Sequence, residues 1–168
     1  MVADALAREV AKAATRDRIA TLSAEEVVEA AEHPARVAAR HGMDTQTLSR
    51  LLAGQLDTVV GGCIDNANGP HTPGKPCRAS FMLCLCCPCA RATPQHLPLQ
   101  VLIQDELLAR RAEMTPLRWA QRFALPQSQL ADLLERAGAV AVADAREAVT
   151  AADRQLADRF LRRELDLP

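Results

Sequence analysis

Six cysteines gathered in one stretch of the chain are the feature that most limits how this sequence can fold. Five of them lie within residues 77–89, in CRASFMLCLCCPC, and the sixth is Cys63. The first eighteen residues are charged every few positions and lack the apolar core of a secretory signal, so we expect a cytoplasmic protein. In a reducing compartment, clustered cysteines bind metal more often than they form disulfides.

The spacing of the cysteines predicts a zinc site. Tetrahedral zinc takes four thiolate or imidazole ligands, usually including one close pair whose sulfurs can both reach the ion. Cys84 and Cys87 form such a Cys-x2-Cys pair, and Cys86 and Cys89 form a second pair in a different phase. Adjacent cysteines point apart in most backbone conformations, so both pairs are not expected to bind one ion. The preferred ligand set is Cys63, Cys77, Cys84 and Cys87, with Cys86 and Cys89 as small buried residues or free thiols.

The residues around the cysteines favour a closed structural site over a catalytic one. Residues 61–98 contain three cations, Lys75, Arg78 and Arg91, against the single carboxylate Asp65, a net charge of +2 (3 − 1). Zinc with four thiolates carries a net charge of −2, which nearby cations stabilise. A catalytic zinc keeps an open position and usually has a glutamate or histidine base beside it, and this stretch has no glutamate. We therefore expect no catalysis here.

Several alternatives remain open from the residues alone. An iron–sulfur cluster can take the place of zinc, and His71 or His96 can replace a cysteine as ligand. The cysteines can also be buried or reactive free thiols without metal, or disulfides. A thiol or redox enzyme using the Cys86–Cys89 cluster is a further interpretation, with His96 as the nearest partner for a cysteine nucleophile.

Outside the cysteine stretch the sequence predicts helices. Aromatic residues make up 2% of the chain, and alanine is abundant, which suits small-residue helix packing better than a sheet. Ser23 and Glu26 match a capping box, and Thr115-Pro116 matches a helix start. The predicted class is all-α, with a loop-rich, four-cysteine metal-binding insertion in the middle. Its regions are an N-terminal helical part at 1–58, a cysteine-rich part at 59–98 and a C-terminal helical part at 99–168, with no membrane span.

Residues 34–54, PARVAARHGMDTQTLSRLLAG, have the layout of a DNA-binding helix-turn-helix. Gly42 is at the turn, and apolar residues occupy the positions where two crossed helices need a core. The second helix presents residue types that can reach base edges and phosphates. The candidate DNA contacts are Thr45, Gln46, Thr47, Ser49 and Arg50, aided by Arg78 and Arg91 from the cysteine-rich part. A plain helical hairpin without DNA contact is the alternative.

The segment LLAGQLDTVVGGCIDNANGPHTPGKPCRASFMLCLCCPCARATPQHLP, with WAQRFALP after it, resembles a cysteine-motif family of actinobacterial proteins. These proteins occur beside phage-type tyrosine recombinases (integrases) or as their C-terminal parts. The likeness covers residues 48–165, and GKPCRASF, the Cys84/Cys87 pair and HLP are its most specific parts. In that family the positions of Cys63, Cys77, Cys84 and Cys87 recur, whereas those of Cys86 and Cys89 are often other residues. The resemblance implies a role at DNA in a mobile element.

Catalysis by recombination does not carry over from this resemblance. A tyrosine recombinase attacks phosphate with a tyrosine hydroxyl, and this chain has no tyrosine. We expect a non-catalytic, zinc-stabilised accessory module that binds DNA or a DNA-bound recombinase. The alternatives are a helical protein–protein interaction module with structural zinc, and the thiol enzyme.

Overall fold

The structure is a computed structural model that describes residues 2–16 and 18–165, with side chains described up to residue 162. The described chain is mostly helical, so the predicted all-α-like class is confirmed at that level. Its α-helices are α1 Val2–Arg16, α2 Ala24–Glu32, α3 Pro34–Arg40, α4 Thr45–Leu52, α5 Leu97–Arg110, α6 Pro116–Arg122, α7 Ala124–Ala137, α8 Ala139–Glu147 and α9 Ala151–Leu165. Among the described residues, no helix is both long and apolar enough to cross a membrane.

Three short strands and three 3₁₀ helices complete the regular structure of the described chain. The strands are β1 Ala20–Thr21, β2 Gly62–Cys63 and β3 Ala90–Ala92, and the 3₁₀ helices are Phe81–Cys86, Pro94–His96 and Arg111–Glu113. β3 is the central strand, because it pairs in parallel with β1 and antiparallel with β2. No strand was predicted from the sequence, since segments of two or three residues are too short to show an alternating apolar pattern.

The chain divides into two compact units, one of residues Ile19–His96 and one of Met1–Arg18 with Leu97–Pro168. This division differs from the three predicted regions at 1–58, 59–98 and 99–168. The predicted N-terminal helical part is split, because α1 packs against α7 while α2, α3 and α4 belong with the cysteines. Such pairing between distant segments leaves no mark in local periodicity or capping residues.

In the Ile19–His96 unit, α2, α3 and α4 pack around one apolar cluster. Its buried members are Leu22, Ala30, Val37, Ala38, Leu48 and Leu51. The Ser23 side chain accepts from the Glu26 N–H while the Glu26 side chain accepts from the Ser23 N–H, which confirms the capping box that opens α2. Asp44 caps α4 by accepting from the Thr47 N–H at 2.7 Å. Gly42 has φ of +69°, which lets the chain turn sharply between α3 and α4.

The second unit is a helical bundle in which α5 packs against α7, α8 and α9. The α5 residues Val101, Ile103 and Leu107 are fully buried there. Thr115 caps α6 and Pro116 follows at its first turn, as the sequence predicted. The end of the predicted C-terminal helical part consists of two helices, α8 and α9, in the described chain.

Candidate metal centre and helix pair

The cysteines occupy the loops and short elements around β2 and β3. Cys63 ends β2 and is the register partner of Ala90 in β3. The Ile64 N–H donates to the carbonyl of Cys89 at 2.9 Å, so the backbone next to Cys63 lies beside that of Cys89. The Cys77 N–H donates to the Asn66 carbonyl at 3.0 Å, which folds the intervening loop back on itself. These bonds bring the two distant cysteine segments of the sequence into one region.

Two glycines allow the strand before Cys63 to lie close to its neighbours. A Cβ atom added to Gly61 would be 2.8 Å from the carbonyl oxygen of Arg91, closer than real Cβ atoms come. A Cβ atom added to Gly62 would overlap the Cδ1 atom of the buried Leu51 on α4. The Gly-Gly pair therefore sets the position of Cys63 relative to both β3 and α4.

The thiols share one partly buried electrostatic environment. The pKa of the Cys84 thiol is raised to about 11, mainly by burial and also by like charge on Cys87, Cys63 and Cys77, while a side-chain hydrogen bond with Thr58 acts in the opposite direction. Burial also raises the pKa of Cys63, with Cys87 and Cys77 adding to the effect. Cys63 and Cys84 therefore lie close enough to Cys77 and Cys87 to interact with them electrostatically, and the thiolate forms of Cys63 and Cys84 are disfavoured unless a cation compensates them.

The side chains themselves do not form a ready ligand shell. All six cysteines are free and half-buried. Within the part of the chain that the structure describes, no group of three or more His, Cys, Asp or Glu side chains is placed to hold a metal ion. The donor chemistry suits zinc, which is soft enough for thiolates, but binding requires the sulfurs to turn toward a common point. The ligand set thus stays a prediction.

His96 is engaged away from the cysteines. It is buried, and its Nδ1 atom accepts from the Thr93 N–H at 2.9 Å, so its Nε2 atom carries the proton and donates to Asp57 at 2.8 Å. Both ring nitrogens would have to give up these bonds before His96 replaced a cysteine as ligand or acted as base to a thiol. His71 is exposed on the loop between Cys63 and Cys77.

The helix pair has the predicted layout, with α3, a turn at Gly42 and α4. Thr45, Gln46, Ser49 and Arg50 are exposed on α4, whereas Thr47 is half-buried. Residues 24–54 contain five carboxylates and three arginines, a net charge of −2 (3 − 5). Nothing in this geometry identifies what the exposed side of α4 binds, so the DNA contacts of these residues stay predictions.

An ion-pair network holds α2 against α3. The Arg40 guanidinium donates to Glu29 Oε1 and Oε2 at 2.7 and 2.8 Å and to Glu26 Oε1 at 3.0 Å. Burial opposes ionisation of Glu26, but hydrogen bonds from the Ser23 N–H, His41 and Arg40 outweigh it and lower the pKa of that carboxyl. The acidic side chains of α2 are therefore partly neutralised within the unit.

The two arginines predicted to aid DNA binding differ in their surroundings. Arg78 is exposed on the loop before the first 3₁₀ helix. The Arg91 guanidinium lies between the cysteine segment and α3, where it donates to the carbonyls of His41, Pro88 and Ala90 at 2.6–3.2 Å. Arg91 is thus a structural link in this unit, and its predicted contact with DNA stays a prediction.

Sequence reasoning missed three features of this region. It assigned no role to Thr58, which contacts Cys84, or to Asp57, which accepts from His96. It counted Arg91 among the cations that stabilise an anionic metal centre and aid DNA binding, and it did not foresee the bonds of Arg91 to the carbonyl at the end of α3. Only the doublet Gly61-Gly62 beside Cys63 carried a usable signal, because adjacent glycines before a ligand often mark a close backbone approach.

Comparisons with known proteins identify no relative. No protein-family model, no curated protein and no solved structure matches this chain.

Proposed function

We propose that the Ile19–His96 unit is a non-catalytic, zinc-stabilised module that binds DNA through α4, as an accessory to a recombinase of a mobile element. The observation that carries this proposal is that the helix pair and all six cysteines belong to one compact unit. A module of this kind needs a stable helical surface and a means of ordering the long loop beside it.

Zinc is proposed as the means of ordering that loop. Residues 64–80 contain turns and bends but no helix or strand, and a loop of that length is uncommon in a compact domain without a stabilising element. The proposed ligands are Cys63 before the loop, Cys77 within it, and Cys84 and Cys87 after it. The mutual repulsion of their thiolates is relieved by a divalent cation. The result is the predicted four-cysteine insertion within an all-α chain.

DNA binding is assigned to α4 because its outward residues are polar and its N-terminus is well defined. Asp44 fixes the start of α4 by capping, and the apolar residues Leu48 and Leu51 fix its rotation by packing into the core. The exposed Gln46 and Ser49 are residue types that hydrogen-bond to base edges, and Arg50 is one that binds phosphate or guanine.

The metal proposal is tested by elemental analysis of protein purified without chelators. We expect one zinc per chain, lost in Cys84→Ser and kept in the matched variant Cys86→Ser. A brown protein that contains iron would show that the cysteines hold an iron–sulfur cluster and not zinc. A protein with neither metal would refute the metal site and leave free thiols, whose selective rapid alkylation would favour the thiol enzyme.

The DNA proposal is tested by binding to random duplex DNA across a salt series. A lost phosphate contact reduces the slope of log K against log salt by about 0.9. We expect that reduction for Arg50→Ala and not for Arg154→Ala, a matched change of an exposed arginine on α9. No binding at low salt, or an equal effect of both variants, would contradict the assignment.

A protein partner is the second candidate function, because residues 24–54 carry a net charge of −2 and do not attract DNA by charge. The α2 residue Val28 is 73% exposed, which is an apolar contact available to a protein surface. Capture of a partner that persists after nuclease treatment would favour this function, especially if Val28→Asp abolishes it and Arg50→Ala does not.

A further inference from the structure

We propose that the segment Arg91–His96 holds α3 and α4 in their binding arrangement, so that partner binding by α4 depends on the folded state of the cysteine segment. This inference rests on the proposed function, since it concerns the regulation of the same helix pair. The occupancy of the thiols by metal then controls the affinity of α4 for its partner.

Arg91 provides the first contact with the helix pair. Its Nε and Nη2 atoms donate to the carbonyl of His41, the residue that follows α3, at 3.2 and 2.9 Å. The carbonyls at the end of a helix have no partner within the helix, and a cation beside them also interacts favourably with the helix dipole. Arg91 thus supplies a hydrogen-bond donor at the C-terminus of α3 that the helix itself lacks.

The same guanidinium is tied to the cysteine segment. Its Nη1 atom donates to the carbonyls of Pro88 and Ala90 at 2.6 and 2.8 Å, and both residues adjoin cysteines. Arg91 is also the middle residue of β3, where its register partners are Ala20 of β1 and Gly62 of β2. A shift of residues 88–90 therefore displaces the guanidinium from His41.

Gln95 and His96 provide contacts with the other helix and the turn after it. The Gln95 Nε2 atom donates to the carbonyl of Leu51 at 3.2 Å, near the C-terminus of α4. The His96 Nε2 atom donates to Asp57, five residues after α4 ends. One short segment therefore supplies donors at the C-terminal ends of both helices of the pair.

The helix pair depends on such external donors because its helices are short. α3 has seven residues and α4 has eight, whereas isolated helices shorter than about 12–15 residues are marginal in water. Their positions therefore come from packing and from bonds made by neighbouring segments. The ion pairs of Arg40 hold α3 to α2, and the side-chain hydrogen bonds of Arg91 and Gln95 connect the pair to the cysteine segment, beside the packing of Gly62 against Leu51.

The inference is tested by hydrogen exchange of the α3 and α4 amides, measured by mass spectrometry on the full chain. The cysteine segment is loosened in two ways, by a zinc chelator and by Leu85→Ala, which removes a buried side chain of the Phe81–Cys86 helix. Each is applied to the native chain, to Arg91→Met and to the matched variant Arg78→Met. Circular dichroism verifies that each variant is folded. If Arg91→Met is not folded, Gln95→Ala is used in its place as the milder change.

In the native chain and in Arg78→Met, loosening should speed exchange in α3 and α4 by about tenfold, the factor expected when a hydrogen bond to a charged group is lost. In Arg91→Met the amides should already exchange faster, and loosening should add less than about twofold, because coupled perturbations are not additive. Equal additional acceleration with and without Arg91, or none in the native chain, would overturn the inference.

These outcomes separate the inference from the proposed function. If the protein holds no metal, the Leu85→Ala experiment still measures the link between the cysteine segment and the helix pair. In that case only the claim that metal occupancy controls the affinity of α4 is refuted. If DNA and protein partners are both absent, the proposed function fails while the exchange result stands by itself. If metal and partner are both bound but Arg91→Met leaves the chelator effect on affinity unchanged, the inference alone fails.

Discussion

Replacing Gly61 by alanine tests whether the close approach of β2 to β3 organises the cysteine region. The added Cβ atom would be 2.8 Å from the Arg91 carbonyl oxygen, and the backbone φ of Gly61 causes no strain of its own. Reaching an ordinary contact of 3.4–4 Å requires a separation of 0.6–1.2 Å (3.4 − 2.8 and 4 − 2.8). Because the obstructing atom is backbone in a paired strand, it cannot rotate away as a side chain would.

The expected cost follows from this geometry. Overpacking of a well-packed site costs about 1–3 kcal/mol, and the need to move paired backbone places Gly61→Ala in the upper half of that range. A domain of this size has a free energy of unfolding of roughly 0.05–0.15 kcal/mol per residue, so a loss of about 2 kcal/mol is a large part of it. For a urea m-value of about 1–2 kcal/mol/M, the midpoint should fall by about 1–2 M.

The assay must separate the two units, since both contain helices. Hydrogen exchange in increasing urea, resolved by peptide, reports the Ile19–His96 unit directly, and the fluorescence of Trp119, the one tryptophan of the chain, reports the other unit. Gly69→Ala is the matched control, because its Cβ atom would meet only the Asp65 carbonyl oxygen, at an ordinary 3.7 Å. A Gly61→Ala protein as stable as Gly69→Ala would refute the packing argument.

Three further predictions concern charge, packing and metal. Folding lowers the pKa of Glu26, so the contribution of its carboxylate to the free energy of unfolding is complete above the ordinary pKa of 4.5 and is lost as pH falls through the lower pKa of the folded state. Glu26→Gln should therefore lose less stability than the native chain when unfolding is measured at decreasing pH. Phe123→Ala, at a 1% exposed position, should cost about 3–5 kcal/mol in chemical unfolding, whereas Leu117→Ala, 67% exposed, should change stability by less than about 0.5 kcal/mol. A chelator should lower the thermal midpoint of the native chain and of Cys86→Ser but not that of Cys84→Ser, and equal shifts in all three would contradict the ligand set.

The helices could be predicted because their ends are marked in the sequence. Ser23, Asp44 and Thr115 all act as N-caps, and each precedes a residue pattern of helical period. The buried positions Leu48 and Leu51 of α4 follow from the same periodicity. These signals are local, because an N-cap side chain and the backbone N–H that it accepts from lie within four residues of one another in the sequence.

The sheet and the division into units could not be predicted, because they depend on contacts between distant segments. β3 pairs with β1 from about 70 residues earlier in the chain, through strands too short for a period to appear. The packing of α1 against α7 depends on which apolar faces meet, and several amphipathic helices of this chain offer similar faces. Local pattern therefore identifies the pieces of this fold and leaves their assembly open.

Arg91 shows why the role of a charged residue is hard to read from sequence. In a cysteine-rich stretch of net charge +2, the sequence predicts an arginine that stabilises thiolates and aids DNA binding. Its acceptors here are backbone carbonyls of His41, Pro88 and Ala90, which every residue possesses and no sequence pattern marks. Gly61 approaches the carbonyl of the same residue, so the main chain and the side chain of Arg91 both contact neighbouring segments. The guanidinium held in this way also lies near the thiols of Cys63, Cys87 and Cys89, so one side chain takes part in both the fold and the electrostatics of the cysteine region, and its contact with DNA stays a prediction.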